Sequence, residues 1–293
     1  MKKYFLTEIT TKDKLIHQGI YFEPKEKSDI AMLWVHGLSG EFHSHITSID
    51  AFASKGDDLG YGFAVFNTRG AKFIDGVQQQ DASNPKGYIY IPGGAGNEIF
   101  EECIHDIDAG ITFLTQQGYR KIILVGHSTG ANKVCFYAGT VQDSRVIGVI
   151  LNSPISDRLE KTKKEIAETL PLMKQKILEG KGDELLFGYS HFPMTAKRYL
   201  SLYEIGSKED VFDYGDEKPK LIAFSNITKP LYVILGEKDE HADRPLIDIK
   251  KVFDAHTTSK NYTSIIVPNA LHGFDGMEQK LAKLVGEWYY RLL

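Results

Sequence analysis

Six short, nearly continuous apolar runs recur along the chain, each bounded by glycine, proline or polar residues. Runs of this length and composition are typical of strands that are buried on both faces of a parallel sheet. The six predicted strands cover residues 30–37, 62–70, 121–127, 146–154, 230–239 and 262–270.

Segments with helical periodicity separate most of these strands. The clearest apolar stripe consists of Ile99, Cys103, Ile107, Ile111 and Leu114. Gly118 is the expected end of that helix, because glycine readily adopts the left-handed conformation that follows many helices. Strands that alternate with helices predict an α/β fold, with a mostly parallel central sheet flanked by helices. Alternating runs in residues 3–10 and 14–24 predict an antiparallel hairpin at the edge of the sheet.

Two segments interrupt the alternation of strands and helices. Residues 71–96 are polar and then glycine-rich, and they predict a long loop of the kind that borders active sites. Residues 155–226 form a longer interruption, for which we expect a helical cap over the carboxyl edge of the sheet. Its apolar stripe consists of Leu159, Ile166, Leu170, Met173 and Ile177, with Pro171 expected to kink or split the helix. We therefore expect a core of residues 1–154 and 227–293, with 155–226 as a helical cap insertion.

Composition narrows the class of protein. The chain has 293 residues, 42% of them hydrophobic, with a formal net charge of −4 and no long basic run. This charge gives no reason to expect nucleic acid or an anionic membrane as a partner. The two cysteines, Cys103 and Cys135, fall in predicted helices and do not suggest a disulfide framework or a metal site. We expect a cytoplasmic protein, because no run is long enough for a signal peptide or a membrane span.

The sequence Gly126-His127-Ser128-Thr129-Gly130 directly follows a predicted strand and precedes a helix-like segment. This strand, turn and helix context is the one in which G-x-S-x-G presents a nucleophilic serine. The two glycines are needed because side chains at those positions would collide across the sharp turn. The alternative is that Ser128 is an ordinary helix cap, and the context favours the nucleophile.

A nucleophilic serine needs a histidine as base and a carboxylate that orients it, and in this fold the order is serine, acid, histidine. Asp239 follows one of the last two predicted strands, and His272 follows the other. We expect Asp239 to be the acid and His272 the base. The neighbouring Glu237, Glu240 and Asp243 are expected to be solvated loop charges.

Acyl transfer also requires two hydrogen-bond donors for the developing oxyanion. The amide of Thr129 is expected to be one donor, since it follows the nucleophile at the positive end of a helix. The amide of Leu38, in the sequence HGLSG after the first predicted buried strand, is expected to be the other.

The motifs HGLSG, NTRG, GHSTG, GEKDEH and ALHGF occur in this order along nearly the whole chain. The chain resembles the α/β-hydrolases, and GHSTG together with LNSPISDR and RYLSLYEIGSKEDVF resembles a group that includes fungal siderophore esterases. The resemblance implies a serine hydrolase with the triad Ser128, Asp239 and His272 and an oxyanion hole at Leu38 and Thr129. It implies a small-molecule ester substrate and an acyl-enzyme, with no cofactor or metal. The long segment 71–96 departs from the compact pattern of the family, so the shape of the pocket does not carry over.

Several other interpretations stay open at this point. The same triad would serve an amidase, a peptidase or an enzyme that cleaves carbon–carbon bonds, and a hydrolase fold can also serve as a small-molecule receptor or a scaffold. His43 and His45 could contact substrate near the loop that carries Leu38 or bind a metal, but a solvated loop is the favoured interpretation. The aromatic residues Tyr88, Tyr90, Phe187 and Tyr189 in the two interruptions could line the pocket. A homodimer is also left open.

Overall fold

The computed structural model describes residues 3–292, and within them it contains twelve strands and eight α-helices. The strands are β1 (Phe5–Thr10), β2 (Leu15–Phe22), β3 (Ile30–Val35), β4 (Gly62–Phe66), β5 (Asp75–Gln80), β6 (Tyr88–Gly93), β7 (Lys121–His127), β8 (Val146–Asn152), β9 (Leu185–Leu186), β10 (Met194–Thr195), β11 (Leu231–Gly236) and β12 (Tyr262–Val267). The helices are α1 (Ile46–Leu59), α2 (Cys103–Gln116), α3 (Thr129–Thr140), α4 (Lys163–Leu178), α5 (Ala196–Tyr203), α6 (Ile222–Ser225), α7 (Leu246–His256) and α8 (Glu278–Tyr290).

Ten of the strands form one sheet with the order β12-β11-β8-β7-β3-β4-β2-β5-β6, and β1 pairs with β2. The six strands predicted from apolar runs, β3, β4, β7, β8, β11 and β12, all run parallel to one another. This mostly parallel sheet confirms the predicted α/β fold, because its apolar strands are covered by helices on both sides.

Side chains of β3 show how the two faces of the sheet are buried. Ala31, Leu33 and Val35 belong to one hydrophobic cluster, which includes residues of α2, α3 and α7. Ile30, Met32 and Trp34 belong to a second cluster, which includes residues of α1 and α8. This alternation is the two-residue period of a strand, and it places helices on both faces.

The expected N-terminal hairpin has the correct antiparallel pairing, but only its first strand lies at an edge, since among the described residues β1 pairs with β2 alone. β1 pairs with β2 from Phe5–Tyr21 to Thr10–Ile16, as the alternating pattern indicated. However, β2 also pairs with β4 and β5, and Ile16 has a partner in both β1 and β5. Since β2 has strands on both sides, it is not an edge strand.

The prediction of a loop over residues 71–96 was also wrong. This segment contains the antiparallel strands β5 and β6, which extend the sheet to its far end. The strands were missed because β5, with the sequence DGVQQQ, buries only Val77 and therefore lacks an apolar alternation. Backbone pairing with its neighbours, rather than side-chain burial, defines this hairpin.

Residues 155–226 contain α4, α5, α6 and the two-stranded ribbon formed by β9 and β10. Helix α4 continues through Pro171, so of the expected kink or split of the helix, the split was wrong. Leu159 lies before α4 rather than on its stripe. The remaining predicted stripe residues, Ile166, Leu170, Met173 and Ile177, pack in a third hydrophobic cluster, which is built mainly from this segment.

Candidate active site

Ser128 lies in the tight turn between the end of β7 and the start of α3. Its backbone has φ 56° and ψ −132°, a combination that is strained for a residue with a side chain. The turn is held by hydrogen bonds from the Ser128 amide to the Asn152 carbonyl oxygen, at 3.0 Å, and from the Ala131 amide to the Ser128 carbonyl oxygen, at 2.7 Å. Such a fixed and strained serine is the geometry that the G-x-S-x-G pattern predicted.

The two glycines of the motif are required by close backbone contacts. A Cβ atom at Gly126 would lie 2.3 Å from the Gly130 carbonyl oxygen. A Cβ atom at Gly130 would lie 2.2 Å from the Val35 carbonyl oxygen. Both distances are far inside van der Waals contact, so the turn can form only when these positions lack side chains.

Asp239 and His272 lie together although they follow different strands. Asp239 comes directly after β11, and its amide donates to the Gly236 carbonyl oxygen at 3.1 Å. His272 follows β12, and its Nδ1 lies 2.9 and 2.8 Å from the two Asp239 carboxylate oxygens. The Asp239 side chain is 0% exposed and that of His272 is 9% exposed. This buried contact leaves Nε2 of His272 as the ring nitrogen that can face a reactant.

One cavity of about 580 Å³ is lined by two residues of the candidate triad. Ser128 and His272 both line this cavity, and Asp239 lies behind the histidine. Among the described residues, His272 has a hydrogen bond to Asp239 but none to the Ser128 hydroxyl group. Catalytic hydrogen bonds are often long without substrate and tighten in the reacting complex.

The two expected oxyanion donors belong to segments that line the same cavity. Leu38 lies in the loop after β3, and Thr129 is the first residue of α3. The loop after β3 lies directly against the serine, because a Cβ atom at Gly37 would be 2.9 Å from Ser128 Cβ and 3.3 Å from Ser128 Oγ. The Thr129 amide is in the first turn of α3, where backbone N–H groups have no partner within the helix.

His127, the variable residue of the motif, lies against the candidate base, a role that the sequence did not predict. His127 Nε2 donates to the His272 carbonyl oxygen at 3.0 Å, and Ser153 Oγ donates to the same oxygen at 2.8 Å. Burial, reinforced by the nearby His272 and His45 rings, lowers the pKa of His127 to about 3. The ring is therefore neutral near pH 7, and it can hold the His272 backbone without adding a charge to the site.

Two acidic side chains at the cavity make contacts that the sequence did not predict. Glu240 is an exposed loop charge, as expected, and it also accepts the His272 backbone N–H at 3.0 Å. Asp157 accepts from the Thr129 hydroxyl group at 3.1 Å and from the Asn132 amide group at 3.2 Å. A separation of 25 to 32 residues from these partners left no local signal in the sequence.

The suggested pocket aromatics were wrong, because Tyr88, Tyr90, Phe187 and Tyr189 do not line this cavity. Phe73, from residues 71–96, and His191, from residues 155–226, line it instead. Phe73 stacks on Phe192 with ring centroids 5.0 Å apart and meets His191 at 5.9 Å. Both interruptions of the sheet pattern therefore contribute a ring to the cavity.

His43 and His45 do not share an environment. His45 lines the cavity and packs against His127, with ring centroids 5.0 Å apart, whereas His43 is exposed beside Phe42.

Within residues 3–292, no group of three or more histidine, cysteine or acidic side chains is arranged to hold a metal ion. The two cysteines are buried free thiols. In the same part of the chain, no helix has both the length and the apolar character that a membrane span requires.

Solved structures with the same architecture include esterases and a siderophore hydrolase, all of low sequence identity. The esterase Pf2001 from Pyrococcus furiosus is 18% identical, with a TM-score of 0.63 over 99% of this chain and 91% of that one. The siderophore hydrolase EstB from Aspergillus fumigatus is 17% identical, with a TM-score of 0.63 over 99% and 98% of the two chains. Est1E from Butyrivibrio proteoclasticus, solved with ferulic acid, is 16% identical, with a TM-score of 0.65 over 98% of each chain. These similarities confirm the α/β-hydrolase fold.

Sequence comparison identifies relatives whose names state no activity. The UPF0613 protein PB24D3.06c of Schizosaccharomyces pombe is 28% identical over 188 residues, which span 52% of this chain and 57% of the relative. The family described as "Protein of unknown function (DUF1749)" matches residues 92–287, from β6 to the last helix. Because the match covers more than half of the chain, this protein belongs to the DUF1749 family and has the α/β-hydrolase fold.

Proposed function

We propose that this protein is a serine esterase that hydrolyses a small-molecule carboxylic ester through an acyl-enzyme. The observation that carries the proposal is the buried contact of His272 with Asp239 in the cavity that also contains the strained Ser128. A carboxylate that orients a histidine next to an exposed serine hydroxyl is the arrangement that makes serine nucleophilic. Ester hydrolysis is also the activity named for several solved structures that share this fold.

In the first half of the reaction, His272 Nε2 takes the proton of the Ser128 hydroxyl group as Ser128 Oγ attacks the ester carbonyl carbon. Asp239 stabilises the resulting imidazolium ion through Nδ1, at 2.8 Å. The backbone amides of Leu38 and Thr129 donate to the tetrahedral oxyanion. The intermediate collapses when His272 returns the proton to the leaving alkoxide, and the alcohol departs.

The second half of the reaction repeats these steps with water. His272 deprotonates a water molecule, which attacks the acyl carbon, and the same two amides hold the second oxyanion. Return of the proton to Ser128 Oγ releases the carboxylic acid and restores the free enzyme. These reaction steps need no cofactor or metal, because side chains of the protein move every proton.

The surroundings of the cavity are compatible with a small organic ester. A volume of about 580 Å³ lies within the range of sites for drug-sized molecules. We assign residues 155–226 as a cap, since Ile155, Ser156 and His191 of this segment line the cavity next to residues of the sheet loops. Phe73 and His191 each supply a flat ring face to the cavity, which suits an acyl or alcohol group with hydrocarbon character.

The test of the proposal is turnover of a p-nitrophenyl ester by Ser128→Ala. We expect the variant to fold and to lose at least about 10³-fold in kcat, because removal of the nucleophile of such a triad costs about 10⁶-fold. Ser156→Ala is the matched control, since Ser156 lines the same cavity. The Ser156 backbone N–H donates to the Tyr214 hydroxyl oxygen, and the substitution keeps this hydrogen bond. Turnover by Ser128→Ala at the wild-type rate would overturn the assignment.

Product analysis separates the esterase from other uses of the same triad. A panel of matched esters, amides and β-diketones distinguishes ester, amide and carbon–carbon cleavage by the products released. We expect ester cleavage to be fastest. Single-turnover hydrolysis coupled to a large ligand-dependent conformational change would instead identify a small-molecule receptor.

A further inference from the structure

A group of buried ionic side chains lies outside the candidate triad and joins three separate segments of the chain. Glu98 lies between β6 and α2, Lys133 is on α3, which starts directly after Ser128, and Arg198 and Glu209 belong to residues 155–226. All four side chains are at most 1% exposed. Because burial of unpaired charges is costly, these side chains must balance one another.

The contacts within the group are close. Lys133 Nζ lies 2.5 Å from one carboxylate oxygen of Glu98, and an Arg198 guanidinium nitrogen lies 3.5 Å from the other. Arg198 makes a two-nitrogen contact with Glu209, including a bond of 2.9 Å, and donates through Nε to the Ala95 carbonyl oxygen at 2.7 Å. Glu98 thus links the ammonium group on α3 to the guanidinium group of the 155–226 segment.

Lys133 also connects this group to the loop that carries the Leu38 amide. Lys133 Nζ donates to the Thr68 hydroxyl oxygen at 3.3 Å, and the Thr68 backbone N–H donates to His36 Nε2 at 3.0 Å. A backbone N–H can only donate, so His36 Nε2 must accept. In a neutral ring the proton is then on Nδ1, which donates to the Gly37 carbonyl oxygen at 2.9 Å.

The direction of the Gly37 carbonyl group sets the direction of the Leu38 amide. The described residues contain no cis peptide bond, so the C=O of Gly37 and the N–H of Leu38 point in opposite directions. His36 and the Gly40 amide, at 3.1 Å, hold the carbonyl oxygen on one side. The Leu38 N–H is thereby fixed on the other side. The Leu38 side chain also packs against the cluster built mainly from residues 155–226, so the loop has one direct contact with that segment besides the indirect link through Lys133.

We propose that Lys133 is a positioning residue for the oxyanion loop, which is the loop after β3 that carries the Leu38 amide. Glu98 holds Lys133 and also contacts Arg198, so the 155–226 segment is linked to the Leu38 amide. This proposal rests on the proposed esterase function, in which Leu38 is an oxyanion donor. Burial, reinforced by the Lys133 charge, lowers the pKa of His36 to about 4. The required neutral ring is therefore maintained near pH 7.

The first test compares kinetics in three variants. Thr68→Val removes the hydroxyl link, and Lys133→Met removes the ammonium group. The double variant Lys133→Met/Glu98→Gln also removes the negative charge of Glu98, which would be poorly balanced once Lys133 is lost. We expect each to lower kcat for a p-nitrophenyl ester by at least about tenfold with KM changed less than about threefold, because loss of a whole oxyanion donor costs 10²–10³-fold. Lys197→Met is the control, since Lys197 is on the surface of α5 and pairs with the exposed Asp183.

The second test measures the His36 tautomer by nitrogen NMR of protein labelled with ¹⁵N-histidine, with His36→Gln used to assign the signal. We expect the Nδ1–H tautomer in the wild type and in the variants, because the Thr68 backbone N–H still donates to Nε2. We expect a shifted Nε2 signal in Thr68→Val and in the double variant, because Lys133 no longer holds Thr68 in place. Wild-type kcat and an unchanged His36 signal in folded variants would overturn the positioning role. If the wild type does not hydrolyse esters, the proposed function fails, and the NMR result still decides whether Lys133 controls His36.

Discussion

At the scale of single residues, the candidate site depends on positions where a methyl group would not fit. Gly126 and Gly130 permit the turn at Ser128, and Gly37 lets the loop after β3 lie against the serine. The first two were recognisable from the sequence because they belong to a motif with a known steric reason. Gly37 was recognisable only as part of HGLSG, and its close contact with Ser128 depends on a distance that no sequence pattern contains.

Gly37→Ala is expected to lower activity without unfolding the protein. The added Cβ would lie 2.9 Å from Ser128 Cβ, so either the serine or the oxyanion loop must shift. Small displacements of reacting groups are costly, and we expect kcat/KM for a p-nitrophenyl ester to fall at least about tenfold. Gly76→Ala is the matched control, because its Cβ would make an ordinary contact of 3.4 Å with Tyr90. Equal activity of the two variants would show that the loop has room to adjust.

At the scale of helices and strands, the elements that could be predicted from the sequence are those whose side chains are buried. The six parallel strands were found because they are apolar on both faces, and α2 was found because its buried residues recur with the helical period. The β5–β6 hairpin was missed because β5 is mostly polar and because each of the two strands has only one buried residue. Likewise, Asp239 and His272 follow strands in a recognisable order, whereas Glu98 and Arg198 meet through the tertiary fold alone.

Phe73 is the point at which the two interrupting segments meet at the cavity, and its removal should change substrate preference. Its ring packs on Phe192 and lines the cavity beside His191. We expect Phe73→Ala to alter the ratio of kcat/KM for p-nitrophenyl butyrate and acetate by about threefold or more, since the longer acyl chain loses or gains apolar contact. Tyr90→Ala, on β6 and outside the cavity, should leave that ratio unchanged. A ratio unaffected by Phe73→Ala would exclude this ring from acyl recognition.

At the scale of the whole molecule, two buried neutral histidines should make the fold sensitive to acid. Burial lowers the pKa of His36 from 6.5 to about 4 and that of His127 from 6.5 to about 3. Between these values and 6.5 the unfolded chain binds more protons than the folded one. The free energy of unfolding must therefore fall as the pH falls below 6.5, by at most about 1.4 kcal/mol per pH unit for each histidine.

Urea unfolding at pH 7 and pH 5 measures this effect. We expect the wild type to lose stability between the two values, and we expect His127→Gln to reduce that loss by up to about 2 kcal/mol. His43→Gln is the control, because the His43 side chain is exposed, and it should leave the difference between pH 7 and pH 5 unchanged. An unchanged pH dependence in His127→Gln would contradict the neutral buried state of His127.

The central claim, that Ser128 is a nucleophile activated by His272 and Asp239, is tested most directly by covalent labelling. The native protein is treated with a fluorophosphonate, digested, and mapped by mass spectrometry, with Ser128→Ala and His272→Ala treated in parallel. We expect one adduct, on Ser128, that is absent in Ser128→Ala and forms far more slowly in His272→Ala. An adduct on any other residue, or an unlabelled Ser128 in the folded wild type, would contradict the claim.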